Sequence, residues 1–514
     1  IYTLWHTLSL HDALPIFRKK KPEDQSIVPI VSSFSENKLD NSSVIFSLGD
    51  NPLNRRYRRS LPYDSIAGRE QGYFIYDQQE KPNLVCIGSN QPIGLFYAAT
   101  TLVQLIDKEQ PVYHHARTID YPDFKKRGVY YQPGNSMTMG LDFLTRQRYN
   151  RIHLDTRPGS GSSILEHIRE TGSASLGGKL FTPGLSFKPR DPAKWVDDNN
   201  GSRISLDQNV ERLMNYSLNH HFGRVVLRMD RVLPGSDMNG FEDNIPGSMG
   251  YPQYQNMLDI HAQLLSGIHS ITEGRAELAY LPPWHNNKDI IQSHGTGELF
   301  LRELSRKVSP HVEFLWTGPV AHPLIVDRSE VAYFKHCSGR DPVFFSLDIN
   351  PYTRSEFLNA YPGKARMSSL FEHFSLELPR DLHQKANQGF YTDINPANAI
   401  DRIRIKTLSA YLWNTRKDDP GVILLKVLIS EYGHQTAFNL VRLNEAYFGL
   451  YEMYGKITSK ETKVKFVRSA EDFKKRFDVI LDSLQKDLAG TELWNELVDY
   501  SKKAQGYYET ILSR

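Results

Sequence analysis

Cysteine is nearly absent from this chain of 514 residues, which contains only Cys86 and Cys337. Two cysteines far apart in sequence provide neither a disulfide framework nor a cysteine metal site. The chain also has no run close to the roughly 18 apolar residues that a transmembrane helix needs. We therefore expect no membrane span.

An excess of one charge is missing as well, since the formal net charge is +3. A nearly balanced charge gives no indication of a nucleic-acid partner. The sequence contains no His-Glu-x-x-His, no paired Cys-x-x-Cys and no dinucleotide-binding glycine fingerprint. We expect neither a metal nor a cofactor.

The first residues do not look like part of a fold. The stretch from Leu8 to Ile16 resembles a translated sequencing adapter of the kind that recurs in metagenomic assemblies, and the chain begins without Met. We exclude residues 1 to about 17 from the fold prediction. A natural leader is not observable in such a sequence.

The remaining length predicts two or three domains, because a single core rarely serves so long a chain. From about 25 to 124, three short apolar runs indicate strands, at Ser43–Leu48, Gly72–Tyr76 and Asn83–Gly88. Pro92–Ile106 is apolar at helical spacing with Pro in its first turn. We expect a small α/β domain with a mostly structural role.

Between 125 and 415, eight apolar runs of strand length alternate with helical patterns such as Leu206–His220 and Tyr254–Ile268. Regular strand–helix alternation predicts a closed parallel sheet, the (β/α)₈ or TIM barrel. The predicted strands are Lys126–Tyr131, Arg151–Asp155, Lys179–Thr182, Arg224–Asp230, Glu277–Leu281, Val312–Thr317, Val343–Asp348 and Gly389–Thr392.

Polar side chains follow these strands, where barrel enzymes carry their active sites. Asp230 ends the central strand, and the long loop after it carries Glu242 and Asp243. The other strand-end candidates are Gln132, Asp155, Thr182, Trp284 with His285, Thr317, Asp348 with Asn350, and Asp393 with Asn395. We predict that Asp230, Asp155, Trp284, Asp348, Asn350 and Asn395 line one pocket.

From 416 to 514 the pattern is helical. Pro420 starts a helix that Gly433 ends, and three more follow, at His434–Gly455, Lys460–Leu488 and Glu492–Leu512. The apolar stripe of the last helix is typical of core packing. We expect a helical bundle on or beside the barrel.

Several of these stretches resemble the family-84 glycoside hydrolases, the bacterial O-GlcNAcase-like β-N-acetylglucosaminidases. They are Leu315-Trp316-Thr317-Gly318-Pro319, Asp393-Ile394-Asn395-Pro396, Lys406 to Asn414, and Phe181-Thr182-Pro183-Gly184. The stretches Gly94–Gln104 and Asp120–Gly128 resemble the α/β domain that precedes many hexosaminidase barrels. The resemblance implies the same three-part order, a carbohydrate or glycoconjugate substrate, and by analogy a periplasmic or secreted location.

The resemblance also implies a retaining mechanism in which the substrate's own 2-acetamido oxygen attacks the anomeric carbon. Two adjacent Asp then divide the work: the first polarises the acetamide N–H and the second protonates the leaving oxygen. The first matches Asp230, but the second falls on Arg231, whose pKa above about 12 excludes it as an acid. Asn395 matches a sugar-binding Asn, whereas Asp155-Thr156-Arg157-Pro158 replaces the family's Lys-Asp-Asp-Pro.

Three functions follow from these residues. One is a glycosidase in which a loop carboxylate, Glu242 or Asp243, replaces the acid. Another is a carbohydrate-binding pseudoenzyme that has lost it. The third is a scaffold protein that acts through its helical bundle. Arg231 itself would pair with Asp230, bind an acidic group of the substrate, or point away towards Glu242 or Asp243.

Overall fold

The computed structural model describes most of the predicted strands and helices, but not the loops between many of them. The described residues are 45–78, 84–105, 117–131, 140–155, 182–187, 196–197, 205–206, 211, 214–215, 218, 223–229, 251–282, 296–316, 334–341, 343–345, 371, 389–392, 398–415, 420–456 and 460–513.

A four-stranded mixed sheet forms the N-terminal part. Its strands are β1 (Ile45–Leu48), β2 (Tyr73–Asp77), β3 (Leu84–Ser89) and β4 (Arg117–Asp120), in the order β1-β3-β2-β4. The β1–β3 pair is parallel and the β2 pairs are antiparallel. Helix α1 (Pro52–Arg56) follows β1, and α2 (Pro92–Gln104) packs on the sheet. The three predicted strands and α2 are present; β4 and α1 were not predicted.

Eight parallel strands close into a barrel in sequence order, and the last pairs with the first. They are β5 (Lys126–Tyr131), β6 (Arg151–Asp155), β7 (Thr182–Phe187), β10 (Arg224–Arg228), β11 (Glu277–Leu281), β12 (Glu313–Trp316), β13 (Val343–Phe345) and β14 (Gly389–Thr392). A separate antiparallel pair joins β8 (Val196–Asp197) and β9 (Ser205–Leu206). Six of the eight predicted barrel strands agree with the observed ones to within about two residues, and of Val343–Asp348 only Val343–Phe345 is described, as a strand.

The third barrel strand was predicted wrongly. The prediction ended it at Thr182, whereas β7 begins there and includes Pro183 and Gly184. Pro-Gly is a common turn signal, but here both residues lie inside the ladder, with Pro183 in register with Ile152 and Gly184 with Arg224. Thr182 is therefore at the amino end of its strand and is not a strand-end site residue.

Helices lie between several of the strands. They are α3 (Gly140–Arg146), α4 (Tyr251–Thr272), α5 (Thr296–Lys307) and a helical turn at 334–338. Of the predicted helix Leu206–His220, five positions are described. Positions 211, 214, 215 and 218 are helical, but Leu206 is the last residue of β9, so the prediction began this helix too early. The other connections lie outside the described residues, so the complete (β/α)₈ repeat stays a prediction.

Strand alternation divides the barrel's side chains into an outer and an inner set. The outer set packs with the surrounding helices; in β10 and β11 it includes Val225, Leu227, Leu278 and Tyr280. The inner set forms a small apolar cluster of Val226, Ala279, Leu281, Leu315, Val343 and Tyr391. The inner face of β10 is therefore the face of positions 224, 226 and 228.

Five helices complete the chain: α6 (Ala399–Trp413), α7 (Pro420–Tyr432), α8 (His434–Lys456), α9 (Lys460–Leu488) and α10 (Glu492–Ser513). The last four match their predicted ranges to within about two residues. Gly433 separates α7 from α8 with a φ of 78°, a left-handed conformation that favours glycine. None of the described helices combines the length and apolar character that a bilayer span requires.

Helix α6 contacts all three parts of the molecule. Its first residues pack with α7–α10, through Ala399, Ile400 and Ile403. Its second half packs into the barrel core, through Ile405, Leu408, Tyr411 and Leu412. Its last residue, Trp413, packs among the side chains of the N-terminal sheet and α2.

Candidate active site

The carboxyl ends of the barrel strands frame the candidate site. Asp155 is the last residue of β6 and is in register with Ser186 of β7. Arg228 ends β10, and the next N–H, that of Met229, donates to the Leu281 carbonyl at 2.9 Å. This bond ties the chain just before Asp230 to the end of β11.

Most predicted site residues lie outside the described residues. These are Gln132, Asp230, Arg231, Glu242, Asp243, Trp284, His285, Thr317, Asp348, Asn350, Asp393 and Asn395. Asp155 is described for its backbone only. The convergence of these side chains on one pocket therefore stays a prediction.

Arg228 is an inner-face residue that the sequence analysis missed. It shares the inner face of β10 with Arg224 and Val226, and its side chain is only 9% exposed. The alternate positions Arg224, Val226 and Arg228 could have indicated that these three residues share one face of the strand. The sequence interpretation treated the strand only as a buried run that ends in an acidic residue.

Charged side chains fill the amino end of the barrel, which we call the base layer. It consists of Lys126, Arg151, Arg224, Glu277 and Glu313, each the first residue of its strand. Arg224 is fully buried, with Nη1 2.8 Å from Glu277 Oε2 and Nη2 2.6 Å from Glu313 Oε2. Lys126 bridges the same two carboxylates, and Arg151 reaches Glu277 at 3.4 Å.

The base layer keeps its carboxylates ionised. Burial alone would raise the pKa of Glu277, but Arg224, Lys126 and Arg151 outweigh it and lower the pKa to about 2. Burial opposes ionisation of Glu313 as well, and the Arg224 and Lys126 charges lower its pKa. A titration step near neutral pH is therefore absent from both glutamates, and they suit a structural role better than general acid catalysis.

Two aromatic side chains, His153 and Tyr391, fill the barrel interior next to the base layer. His153 stacks on Tyr391 with ring centroids 4.5 Å apart, and the Arg224 guanidinium lies 4.9 Å from the Tyr391 ring centroid. Burial and the Arg224 charge lower the pKa of His153 well below its ordinary value, so the ring is neutral. Gly128 makes room for Tyr391, since an added Cβ would lie 1.8 Å from its ring. These side chains fill the base and the middle of the barrel interior among the described residues.

Metal binding finds no support among the described side chains, which contain no group of three or more His, Cys, Asp or Glu able to hold an ion. Cys86 and Cys337 are both buried. The other buried histidine of the described barrel, His261 of α4, places Nδ1 2.6 Å from the Tyr280 hydroxyl. Burial lowers the pKa of His261 to about 3, as in a core histidine with a hydrogen-bond partner.

Solved structures similar to this chain are glycoside hydrolases. CpGH84B matches with 15% identity and a TM-score of 0.56, covering 86% of this chain and 77% of its own. CpGH84D matches with 12% identity and a TM-score of 0.53, covering 93% and 83%. A GH138 enzyme targeting pectin rhamnogalacturonan II matches with 9% identity and a TM-score of 0.52, covering 86% and 78%.

These similarities are similarities of fold. No family model matches the sequence, and no curated protein matches it either. At 9 to 15% identity, the shared architecture is that of GH84-like and other glycoside hydrolases.

Proposed function

We propose that this protein is a glycoside hydrolase for N-acetylglucosamine-type glycosides, with its active site at the carboxyl ends of a (β/α)₈ barrel. The proposed domains are an α/β domain at 25–124, the barrel at 125–415 and a helical bundle at 416–514. The N-terminal sheet and the last helices each have an apolar cluster of their own, which supports this division, although α6 contributes to all three clusters and Ile423 and Tyr451 pack in the barrel cluster.

One observation carries the proposal: the candidate residues follow the described strand ends within a few positions. Asp155 ends β6, and Asp230 comes two residues after Arg228. Trp284, Asp348 and Asn395 each come three residues after a strand. Three residues span at most about 11 Å of chain. Because parallel strands end at one rim of a closed barrel, chain length alone keeps these residues near that rim.

The mechanism assigns one task to each residue. Asp230 accepts the acetamide N–H, which increases the electron density of the acetamide oxygen as that oxygen attacks the anomeric carbon. The bond to the leaving oxygen breaks, and that oxygen takes a proton from Glu242 or Asp243, since Arg231 has none to give at neutral pH. Asn395 and Asp155 hold sugar hydroxyls. Water then attacks the anomeric carbon and opens the oxazolinium ring, while its proton passes to the Glu242 or Asp243 carboxylate that donated one in the first step, which gives net retention.

Two glycosides test the proposal. An aryl N-acetylglucosaminide has a leaving group that needs no acid, so the parent protein should hydrolyse it. Asp230→Asn should lower kcat/KM by about 10²–10⁴-fold, in line with the loss of a catalytic proton acceptor. Asp259→Asn, on the exposed side of α4, is the matched control. Failure of the parent to hydrolyse the aryl substrate would rule out the hydrolase.

Arg231 favours one alternative, a carbohydrate-binding pseudoenzyme. If the parent binds N-acetylglucosamine in calorimetry without turning over the aryl glycoside, the binding function replaces the hydrolase. Arg231→Asp restores the adjacent pair of carboxylates. A gain of activity on unactivated N-acetylglucosaminides, the second glycoside, would identify the missing acid as the only defect.

A further inference from the structure

One face of the N-terminal sheet carries a surface of arginine and tyrosine side chains. Helix α2 packs on the opposite face. The segment 52–66 covers the middle of the arginine-bearing face through an apolar cluster, which consists of Tyr57, Leu61, Ile66, Phe74, Leu84 and Cys86. At the margin of this cluster two tyrosines are only partly buried. We call the surface around them the arginine–tyrosine patch, and it consists of Arg58, Arg59, Tyr63, Tyr76 and Arg117.

Ring contacts connect the patch across the sheet. The Phe74 ring centroid lies 4.9 Å from that of Tyr63 and 6.1 Å from that of Tyr76. The guanidinium carbon of Arg58 lies 4.9 Å from the centroid of the Tyr63 ring. That of Arg117 lies 5.8 Å from the centroid of Tyr76, its partner in the register of β2 and β4. Two guanidinium groups and two partly buried rings therefore share one continuous surface.

A hydrogen bond brings Arg59 to the same surface. Ser60 Oγ donates to Gln78 Oε1 at 3.4 Å. This bond joins the helical turn of residues 58–60 to the end of β2, two residues beyond Tyr76. The turn that carries Arg58 and Arg59 thus lies at the end of the sheet where Arg117 begins β4.

The positive charge of this surface is not neutralised by ion pairs. Among the described residues, no carboxylate lies within ion-pair distance of Arg58, Arg59 or Arg117, and all three are exposed. Arg55, only three residues before Arg58, differs: its Nε lies 2.9 Å from Asp50 Oδ1 and its Nη2 lies 3.0 Å from Asp50 Oδ2. Three guanidinium groups therefore keep their N–H donors for a ligand.

The side chains of the patch match the chemistry of an acidic sugar. A guanidinium binds a carboxylate through two parallel hydrogen bonds, which a lysine cannot do, and the patch contains arginine only. A guanidinium that already lies over a ring loses less conformational freedom when it binds. The partly exposed tyrosines beside it offer an apolar ring and a hydroxyl group, which suit a sugar ring.

A nucleic acid or a membrane matches the patch less well. Stable binding to nucleic acid typically uses about 6–10 phosphate contacts, more than three arginines provide. Binding to an anionic membrane typically uses a cluster of about 4–8 basic residues together with apolar side chains that insert. In the described N-terminal part, Leu48 is the exposed large apolar side chain, and it ends β1 at the opposite edge of the sheet from Arg117.

We propose that the arginine–tyrosine patch binds an acidic polysaccharide, with Arg58 and Arg117 each pairing with a uronate carboxylate and Tyr63 and Tyr76 contacting the sugar rings. Arg59 adds positive charge beside them. This site lies on the N-terminal sheet, not on the barrel strands, so it goes beyond the proposed hydrolase and does not depend on it. Its role is to retain the protein on a charged polymer.

An oligomannuronate is the probe, because each of its sugars carries a carboxylate and none carries an acetamido group. Calorimetry with the full chain should show binding to this probe and none to an uncharged oligomannose of equal length. Arg58→Ala and Arg117→Ala should each weaken binding about fivefold, as expected for exposed but bidentate ion pairs. Arg58→Lys keeps the charge but loses the paired donors, so it should weaken binding about threefold.

The matched control is Arg306→Ala, which removes one charge from an exposed position of α5 and should leave the affinity unchanged. Failure of the parent to bind oligomannuronate, or equal weakening by Arg306→Ala and Arg58→Ala, overturns the proposal. Equal affinity for a single-stranded oligonucleotide or for phosphatidylserine vesicles overturns it too, in favour of a nucleic-acid or membrane partner. Failure of the parent to hydrolyse the aryl glycoside rejects the proposed function alone, because the calorimetry measures binding without turnover.

Discussion

The barrel is joined to its two neighbours by contacts that differ in how deeply their polar groups are buried. The N-terminal joint is polar and buried; it consists of Gln71, Tyr97, Asp120, Arg127, Arg148 and Trp413. The C-terminal joint combines the apolar packing of Ala399, Ile400 and Ile403 against α7–α10 with polar contacts nearer the surface, Lys406–Glu431, Arg402–Glu492 and the Glu496 carboxylate. Both joints meet on α6, one at each end.

Arg127 is the centre of the N-terminal joint. Its Nε donates to the Arg148 carbonyl at 2.9 Å, and Nη2 donates to Gln71 Oε1 at 2.8 Å and to the Tyr97 hydroxyl at 3.2 Å. Nη1 donates to the Phe124 carbonyl. The guanidinium lies 4.9 Å from the Trp413 ring. Burial lowers the pKa of Arg127 to about 10, which leaves it charged at neutral pH.

The two joints should therefore lose stability through different kinds of substitution. A buried polar contact is favourable only while every partner is present, because each orphaned group keeps its full desolvation cost. An apolar contact loses free energy in proportion to the volume removed and tolerates similar shapes. The N-terminal joint should therefore be sensitive to chemistry, and the C-terminal joint to size.

The largest effect is expected from Arg127→Met, which nearly conserves length. It removes one buried donor each from Gln71, the Tyr97 hydroxyl and the Arg148 and Phe124 carbonyls, and we expect a loss of about 3–5 kcal/mol in the free energy of unfolding. Urea denaturation measures it. The control Arg59→Met, at an exposed position, should stay within about 0.5 kcal/mol. A loss below about 1 kcal/mol for Arg127→Met would contradict a joint that depends on polar pairing.

In the C-terminal joint, Ile403→Ala should cost about 2–4 kcal/mol, because Ile403 is 2% exposed and its removal leaves a cavity. Ile403→Leu, similar in volume, should cost less than about 1.5 kcal/mol. Val479→Ala, on the surface of α9, is the control. Equal losses for the Ala and Leu variants would show that shape, not volume, governs this joint.

A pair of tryptophans compares the joints directly. Trp413 donates its Nε1–H to Asp120 Oδ2 at 2.7 Å within the buried N-terminal joint, whereas Trp494 packs half-buried against the apolar bundle cluster. We expect Trp413→Phe to cost about 1–3 kcal/mol, since a buried carboxylate loses a donor, and Trp494→Phe to cost less than about 1 kcal/mol. Thermal unfolding of the two variants measures the difference, and equal shifts would contradict it.

Local patterns explain which parts of this fold were predictable. Alternation and helical spacing located seven barrel strands, and Pro420 and Gly433 marked α7, because each signal lies within a few residues. In contrast, the Trp413–Asp120 bond joins residues 293 positions apart, and no local signal predicts it. The base layer was missed because charged residues at strand starts, such as Lys126 and Glu277, look like ordinary solvent-exposed ends.

The site was predictable to the level of strand ends and no further. Asp155 stands at the end of β6 as predicted, and β10 ends two residues before Asp230. The prediction that Thr182 ends its strand was wrong, because the Pro183-Gly184 sequence that follows it is typical of a turn but here lies inside β7. Arg228 was missed because the strand was treated as a uniformly buried run. Its residues were not divided between the inner and the outer face of the barrel.

The smallest expected effect is a pH dependence of stability that arises from Glu496 at the C-terminal joint. The pKa of Glu496 is raised above its ordinary 4.5, first by burial, so the folded state holds this proton more tightly than the unfolded state. Its contribution to stability is therefore full below pH 4.5 and is lost as pH rises through the raised value towards neutrality. We expect Glu496→Gln to flatten this part of the stability–pH curve by less than about 1 kcal/mol, given the partial exposure of the group. Urea unfolding between about pH 4.5 and 7 measures it, with Arg59→Met as a variant that should keep the parental slope. A Glu496→Gln protein with the parental slope would mean that the carboxylate is solvated and does not hold α6 at this end.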